Sequence, residues 1–233
     1  MDPETGAVLE SVPLPINAYG MTMVASGDMY ITSLGDGSMA RLNTQTHEVE
    51  ARIPNPVALR DGATGSYGVT TDSFGRIWQN GWGTLDAIAY DPAADDWCRI
   101  TFPQLEGMAQ AGRGITADAS GRIWTALGGN NWSYMAYWDP EQCQLGQSIE
   151  LPRNQILQSG DNLRGPTAIG ADSRGYIWLA HYNSRKMVRV DPENNFERTT
   201  YDTNAQVYSY SDFTGVVRRM AIGQGSYEHD FEA

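Results

Sequence analysis

Four segments of the chain align with one another around a shared turn, and this internal repeat constrains the fold more than any other feature. The first runs from Tyr19-Gly20-Met21-Thr22 to Ser26-Gly27-Asp28-Met29-Tyr30. The second runs from Tyr67-Gly68-Val69-Thr70 to Phe74-Gly75-Arg76-Ile77-Trp78, and the third from Arg113-Gly114-Ile115-Thr116 to Ser120-Gly121-Arg122-Ile123-Trp124. The fourth runs from Thr167-Ala168-Ile169-Gly170 to Arg174-Gly175-Tyr176-Ile177-Trp178. Successive turn glycines lie 48, 46 and 54 residues apart. A second polar turn follows each glycine by 16 to 18 residues, at Asn43-Thr44, Asp91-Pro92, Asp139-Pro140 and Asp191-Pro192.

Each unit reads as four short strands, a to d. Asp72-Ser73-Phe74-Gly75 and its equivalents join strands a and b, with Asp accepting backbone hydrogen bonds and Gly supplying the positive φ. Strand b carries Arg-Ile-Trp, whose β-branched and aromatic side chains suit a sheet covered on both faces. Strand d ends at Pro54, Pro103 and Pro152 in the first three units, where an outer edge needs no further ladder donor. Twenty-five glycines and scarce helical periodicity agree with an all-β chain. Four-stranded antiparallel units at a period near 48 predict a β-propeller. The expected whole blades are 19–54, 67–103, 113–152 and 166–202.

Residues 1–15 match the Asp-Pro turn and strand d, while 207–233 begins with a match to strand a, its turn and part of strand b. One reading is a composite fifth blade, with N-terminal outer strands pairing with C-terminal inner strands to close one ring over residues 1–233. That protein is a monomer. The other reading is a piece of a larger propeller that assembles from several chains, as a homo-oligomer. The length of 233 residues fits five blades of about 48 residues.

The repeat, from Gly-Ile-Thr through Gly-x-Ile-Trp to Asp-Pro and a closing Leu-Pro, resembles the streptogramin B lyase (virginiamycin B lyase) propellers, most closely over 113–152. The resemblance implies a seven-bladed ring, bacterial in origin, that opens a cyclic depsipeptide lactone by Mg²⁺-assisted C–O elimination. In those lyases the working groups come from the start of strand a and from just past the strand-b tryptophan. The corresponding residues here are Tyr19, Tyr67, Arg113, Thr167 and Val207 in the first set, and Ser33, Gly81, Leu127, His181 and Ala221 in the second. Only His181 has the side-chain type the resemblance requires, and neither set contains a Glu. The paired His and Glu of the lyases are therefore absent from these positions.

Strand a begins and strand b ends at one face, beside the central channel. Tyr19, Tyr67, Arg113 and Thr167 are expected to meet there with Trp82 and Trp132 from the adjoining loops, a lining suited to a planar or polar small molecule or a peptide. His181 is the candidate catalytic group; the alternative is a structural hydrogen bond at that position. Two functions follow: a binding scaffold at the strand-a face, or a lyase using His181 with Mg²⁺. No residue set in the sequence defines a metal site. Gly35-Asp36-Gly37 suits a b–c turn as well as a cation loop, and His47 falls on a solvated outer strand.

Sixteen basic residues against 28 acidic ones give a net charge of −12, which argues against nucleic acid and anionic membranes as partners. No apolar run reaches the length of a membrane-spanning helix. The first residues lack the basic-then-apolar opening of a signal peptide, so none is expected. Cytoplasmic and exported locations both stay open. So does the state of Cys98 and Cys143, which are either bonded or two half-buried thiols.

Overall fold

A computed structural model describes residues 2, 4–55, 64–82, 84–105, 112–128 and 133–209. Seventeen strands form four sheets among these residues. The first blade is β1 (Ala18–Met23), β2 (Met29–Ser33), β3 (Met39–Leu42) and β4 (Val49–Ile53), in that spatial order. The second is β5 (Thr64–Thr71), β6 (Ile77–Trp82), β7 (Asp86–Asp91) and β8 (Asp96–Thr101), again in chain order. The third contains β9 (Gly112–Ala117), β10 (Ile123–Gly128) and β11 (Ser133–Trp138), and the fourth is β14 (Pro166–Ala171), β15 (Ile177–His181), β16 (Lys186–Asp191) and β17 (Glu197–Asp202). Within each blade, consecutive strands pair antiparallel. This is the propeller blade that the repeat predicts.

The recurring Asp-x-x-Gly-x-Ile-Trp segment has a physical explanation beyond its turn. Asp118 accepts the Ser120 and Arg122 amides on one carboxylate oxygen, at 2.9 and 3.0 Å, and the Trp124 indole N–H and Arg122 Nε on the other, at 2.7 and 2.9 Å. Asp72 does the same for Phe74, Arg76 and Trp78. Asp172 accepts the Arg174 and Tyr176 amides and the Trp178 indole. A buried tryptophan N–H needs an acceptor, and the turn carboxylate is it. The first blade lacks this Asp; Asp28, paired with Arg41 at 2.7 Å, takes part of the load.

The blades pack face to face. Tyr30 of β2 lies 6.4 Å from Tyr90 of β7, and Trp78 of β6 lies 5.3 Å from Trp138 of β11. Trp124 of β10 is buried with Val188 and Val190 of the fourth blade. The strand-b aromatic of each of the first three blades thus covers strand c of the next, and three apolar clusters fill the three boundaries.

The third blade corrects the expected boundary at 152. Ser148–Glu150, read as its strand d, forms β12 and pairs in parallel with β8 of the second blade. The fourth place in the third blade is taken by β13 (Ile156–Gln158), antiparallel to β11. The cause is local. Cys143 is bonded to Cys98 of β8, with Cα atoms 5.7 Å apart, which delivers the chain to the β8 edge. Backbone bonds from Gly146 to Trp97, Arg99 to Gln147 and Leu151 to Thr101 continue the seam, and Leu151 enters the second-blade core. The disulfide also resolves the open question about the two cysteines.

The described residues among 2–15 form no strand, so the outer strands expected there are not formed among them. Residues 210–233, on which the inner strands of the composite blade fall, lie outside the described residues. Among the described residues the structure contains four blades.

Candidate functional site

The strand-a starts are brought together by glycine. A Cβ on Gly68 would stand 2.6 Å from the Arg113 carbonyl oxygen, and one on Gly114 would stand 2.8 Å from the Ile169 nitrogen. On Gly20 it would meet Val69 and Thr32 at 3.0 Å. Neighbouring innermost strands therefore pass backbone to backbone, which only a residue without a side chain permits. Register shifts at Ala18/Gly20, Ser66/Gly68 and Pro166/Ala168 bulge the start of three of these strands, and bulges re-aim side chains.

Three of the expected residues meet as a result. The rings of Tyr19 and Tyr67 lie 5.5 Å apart, and the Arg113 guanidinium sits 5.4 Å from the centre of the Tyr67 ring. Three consecutive blades each contribute one member. Tyr67 is buried, and burial, followed by its hydrogen bond with Tyr208, raises its phenol above the ordinary value. At neutral pH it is a neutral donor and acceptor beside a permanent cation.

Two further members were not among the residues expected from the sequence. The Tyr208 hydroxyl stands 2.8 Å from that of Tyr67, and its ring meets Tyr182 edge-on at 5.8 Å. Tyr182 follows β15 directly and its N–H donates to Gly165. Both lie one residue beyond the repeat positions held by Val207 and His181. The sequence signal was the pair of tyrosines themselves, displaced by one residue, a shift that sends a side chain to the opposite face of a strand.

The remaining expected residues do not join this group by any described contact. Thr167 is buried, and its hydroxyl donates to the Ala180 carbonyl of its own blade. Trp82 ends β6, and its side chain lies outside what is described; Trp132 lies wholly outside the described residues.

His181 has 0% exposure. Its Nε2 lies 2.8 Å from the Ser133 hydroxyl and 3.0 Å from that of Ser159, both supplied by the third blade. Burial pushes its pKa down to about 4, partly offset by the Leu179 backbone. A neutral, fully enclosed imidazole pinned by two hydroxyls joins two blades. It does not reach solvent.

The other polar candidates are also accounted for. Asp36 accepts the amide and hydroxyl of Ser38 and pairs with Arg52; the Ser38 hydroxyl is the main cause that holds its carboxyl down to about 2. His47 pairs with Glu10 on the exposed side of the first blade. The residues do not fit the Mg²⁺ that the resemblance implies: among the described residues no three His, Cys, Asp or Glu side chains come together at one point. His181, the one matching position, is already bonded to two serines.

Blades with this topology, packed face to face around strand a, define the class: a β-propeller. No family model matches the chain, and no curated protein does. Solved structures do. A catalytically inactive virginiamycin B lyase from Staphylococcus aureus, determined with quinupristin, superposes with a TM-score of 0.59 at 16% identity, over 80% of this chain and 55% of that one. The hydrazine synthase of Kuenenia stuttgartiensis gives a TM-score of 0.62 at 13% identity, over 85% and 52%. A nidogen/laminin complex gives 0.61 at 13%, over 84% and 68%. The chain spans about half the length of the first two. At such identities the likeness establishes the lyase-like propeller fold and leaves activity to the site.

Proposed function

We propose that the protein is a ligand-binding propeller scaffold whose site is the strand-a face around Tyr67 and Arg113. The observation that carries this reading is the convergence of Tyr19, Tyr67 and Arg113 from three consecutive blades onto one group, with the two tilted rings 5.5 Å apart and the cation 5.4 Å from the Tyr67 ring. One cation over one phenol, with a second phenol beside it, supplies aromatic groups, a fixed positive charge and hydroxyls, which suits a planar or polar small molecule or a peptide end. The similar virginiamycin B lyase structure raises the elimination reaction as the other reading. The burial of His181 argues against it, because a general base must come within hydrogen-bond reach of the proton it removes.

One experiment addresses both. A fragment library is screened by ligand-observed NMR against the native protein and Arg113→Ala, and a type B streptogramin is incubated with the native protein and Mg²⁺ and followed by mass spectrometry. The expected results are fragments that bind the native protein and are lost from Arg113→Ala, with no ring opening. Fragment binding that is unchanged in Arg113→Ala would place the site elsewhere. Ring opening by the native protein that disappears in His181→Ala would restore the lyase.

A further inference from the structure

The segment after the last blade approaches the site in an unusual way. It leaves β17 with the Thr203 amide donating to the Arg185 carbonyl at 3.1 Å, and the Thr203 hydroxyl closes a turn onto the Ala205 carbonyl at 2.7 Å. Asn204, Ala205 and Gln206 are exposed, and among the described residues 204–207 make no hydrogen bond to any blade. Tyr208 then reaches in. It keeps 48% exposure, yet its hydroxyl meets the buried phenol of Tyr67 on the second blade while its ring rests edge-on against Tyr182 of the fourth. The Tyr208 side chain thus bridges two blades that are not neighbours, beside the Tyr67–Arg113 pair.

These contacts are those of a guest. An aromatic ring meets the edge of one other ring, Tyr182, and a hydroxyl is paired with the phenol that sits beside the Arg113 cation. We propose that Tyr208 is an internal stand-in for the ligand: the site takes an aromatic ring bearing a hydroxyl, a phenolic small molecule or a tyrosine side chain of a peptide, and the 203–209 strap must swing away to admit it. This rests on the binding reading of the same face and adds the ligand class and its competitor. Residues 204–207 are exposed or half-buried and make no described hydrogen bond to a blade, so release of the Tyr208 contacts lets the strap move, and while it is docked the apparent affinity falls in proportion to the open fraction.

The test uses N-acetyl-tyrosinamide, N-acetyl-phenylalaninamide and N-acetyl-alaninamide as probes, titrated by NMR into the full chain and into Tyr208→Ala and Tyr208→Ala/Tyr67→Phe. Circular dichroism checks the fold of each variant; Tyr208 is half exposed, so the single variant is expected to keep it. The tyrosine probe should bind Tyr208→Ala about 5–30-fold more tightly than the native protein, by removal of the competitor. It should outcompete the phenylalanine probe, and that advantage should vanish in the double variant. Equal affinity for native protein and Tyr208→Ala would overturn the stand-in while leaving the binding site intact. Absence of aromatic binding to Tyr208→Ala, with Arg113-dependent fragments still found in the library screen, would overturn the ligand class alone. Loss of those fragments as well would remove the site.

Discussion

At the scale of single residues, His181 ties two blades together at the position that the lyase resemblance singles out. The position is the one from which the resemblance expects a catalytic group, but here the imidazole is enclosed and bonded to Ser133 and Ser159. Its sign in stability follows from its protonation. The folded pKa is about 4 against 6.5 for the free side chain, so between those values the unfolded chain binds a proton that the folded one refuses. The stabilisation is complete above pH 6.5 and is lost as the pH falls towards 4, by about 3 kcal/mol in all. Urea denaturation at pH 4 to 8 should show this loss in the native protein and a flatter profile in His181→Gln, which keeps a partner for the serines without a titrating group. Identical profiles would mean that other groups set the acid sensitivity. The residue scale is also where the sequence was least legible. The Tyr-Gly and Arg-Gly pairs at 19–20, 67–68 and 113–114 were visible as repeats, but the reason for the glycine is a backbone in the next blade, which no local pattern contains. The Asp–Trp bond is six residues in span and was open to inference; only the turn half of it was drawn.

At the scale of elements, four a–b–c units and three of the four outer strands were readable from turn residues and alternation, because those strands are joined by short hairpins whose chemistry is local. The third outer strand was not. Ser148–Glu150 has a strand's composition and ends before Pro152 like its counterparts, yet it pairs with β8 in parallel. The decision was made by Cys98–Cys143, a bond that spans 45 residues and that the sequence left open. Spanning that length, the disulfide should contribute about 4 kcal/mol through the unfolded chain. Cys98→Ala/Cys143→Ala is expected to lower stability by that order, measured by denaturant unfolding. Hydrogen exchange should locate the effect in the 147–151 amides that bond to β8, with β13 and the fourth blade little changed. Uniform loss of protection over all four blades would show instead that the seam folds only with the whole.

At the scale of the molecule, the open faces of the first and fourth blades raise the question of what covers them. Trp178 is half-buried where its equivalents Trp78 and Trp124 are fully buried, and Met21 on β1 is 62% exposed. The beginning of the described chain carries a matching clue. The Asp2 amide donates to Ala7 and Gly6 to Asp2, both at 2.9 Å, while the Asp2 carboxylate accepts the Glu4 and Thr5 amides. Asn43, His47 and Glu48 of the first blade form the same ring of bonds, with His47 at φ +60° where Gly6 has +70°. Asp2 and residues 4–7 thus make the bonds of a c–d turn, and the residues after it form no strand, with Val8 and Leu9 67% and 70% exposed. A composite fifth blade whose inner strands lie beyond residue 209 predicts that the segment from Ala7 onward is paired in solution and that the protein is a monomer. Light scattering should then give the mass of one chain, and the amides of 7–12 should exchange slowly. Leu9→Asp should cost about 1–2 kcal/mol, since it would place a charge on a covered apolar position. A mass of two or more chains would show that the faces are covered by another copy, and an unchanged stability in Leu9→Asp would show that this strand position stays open to water.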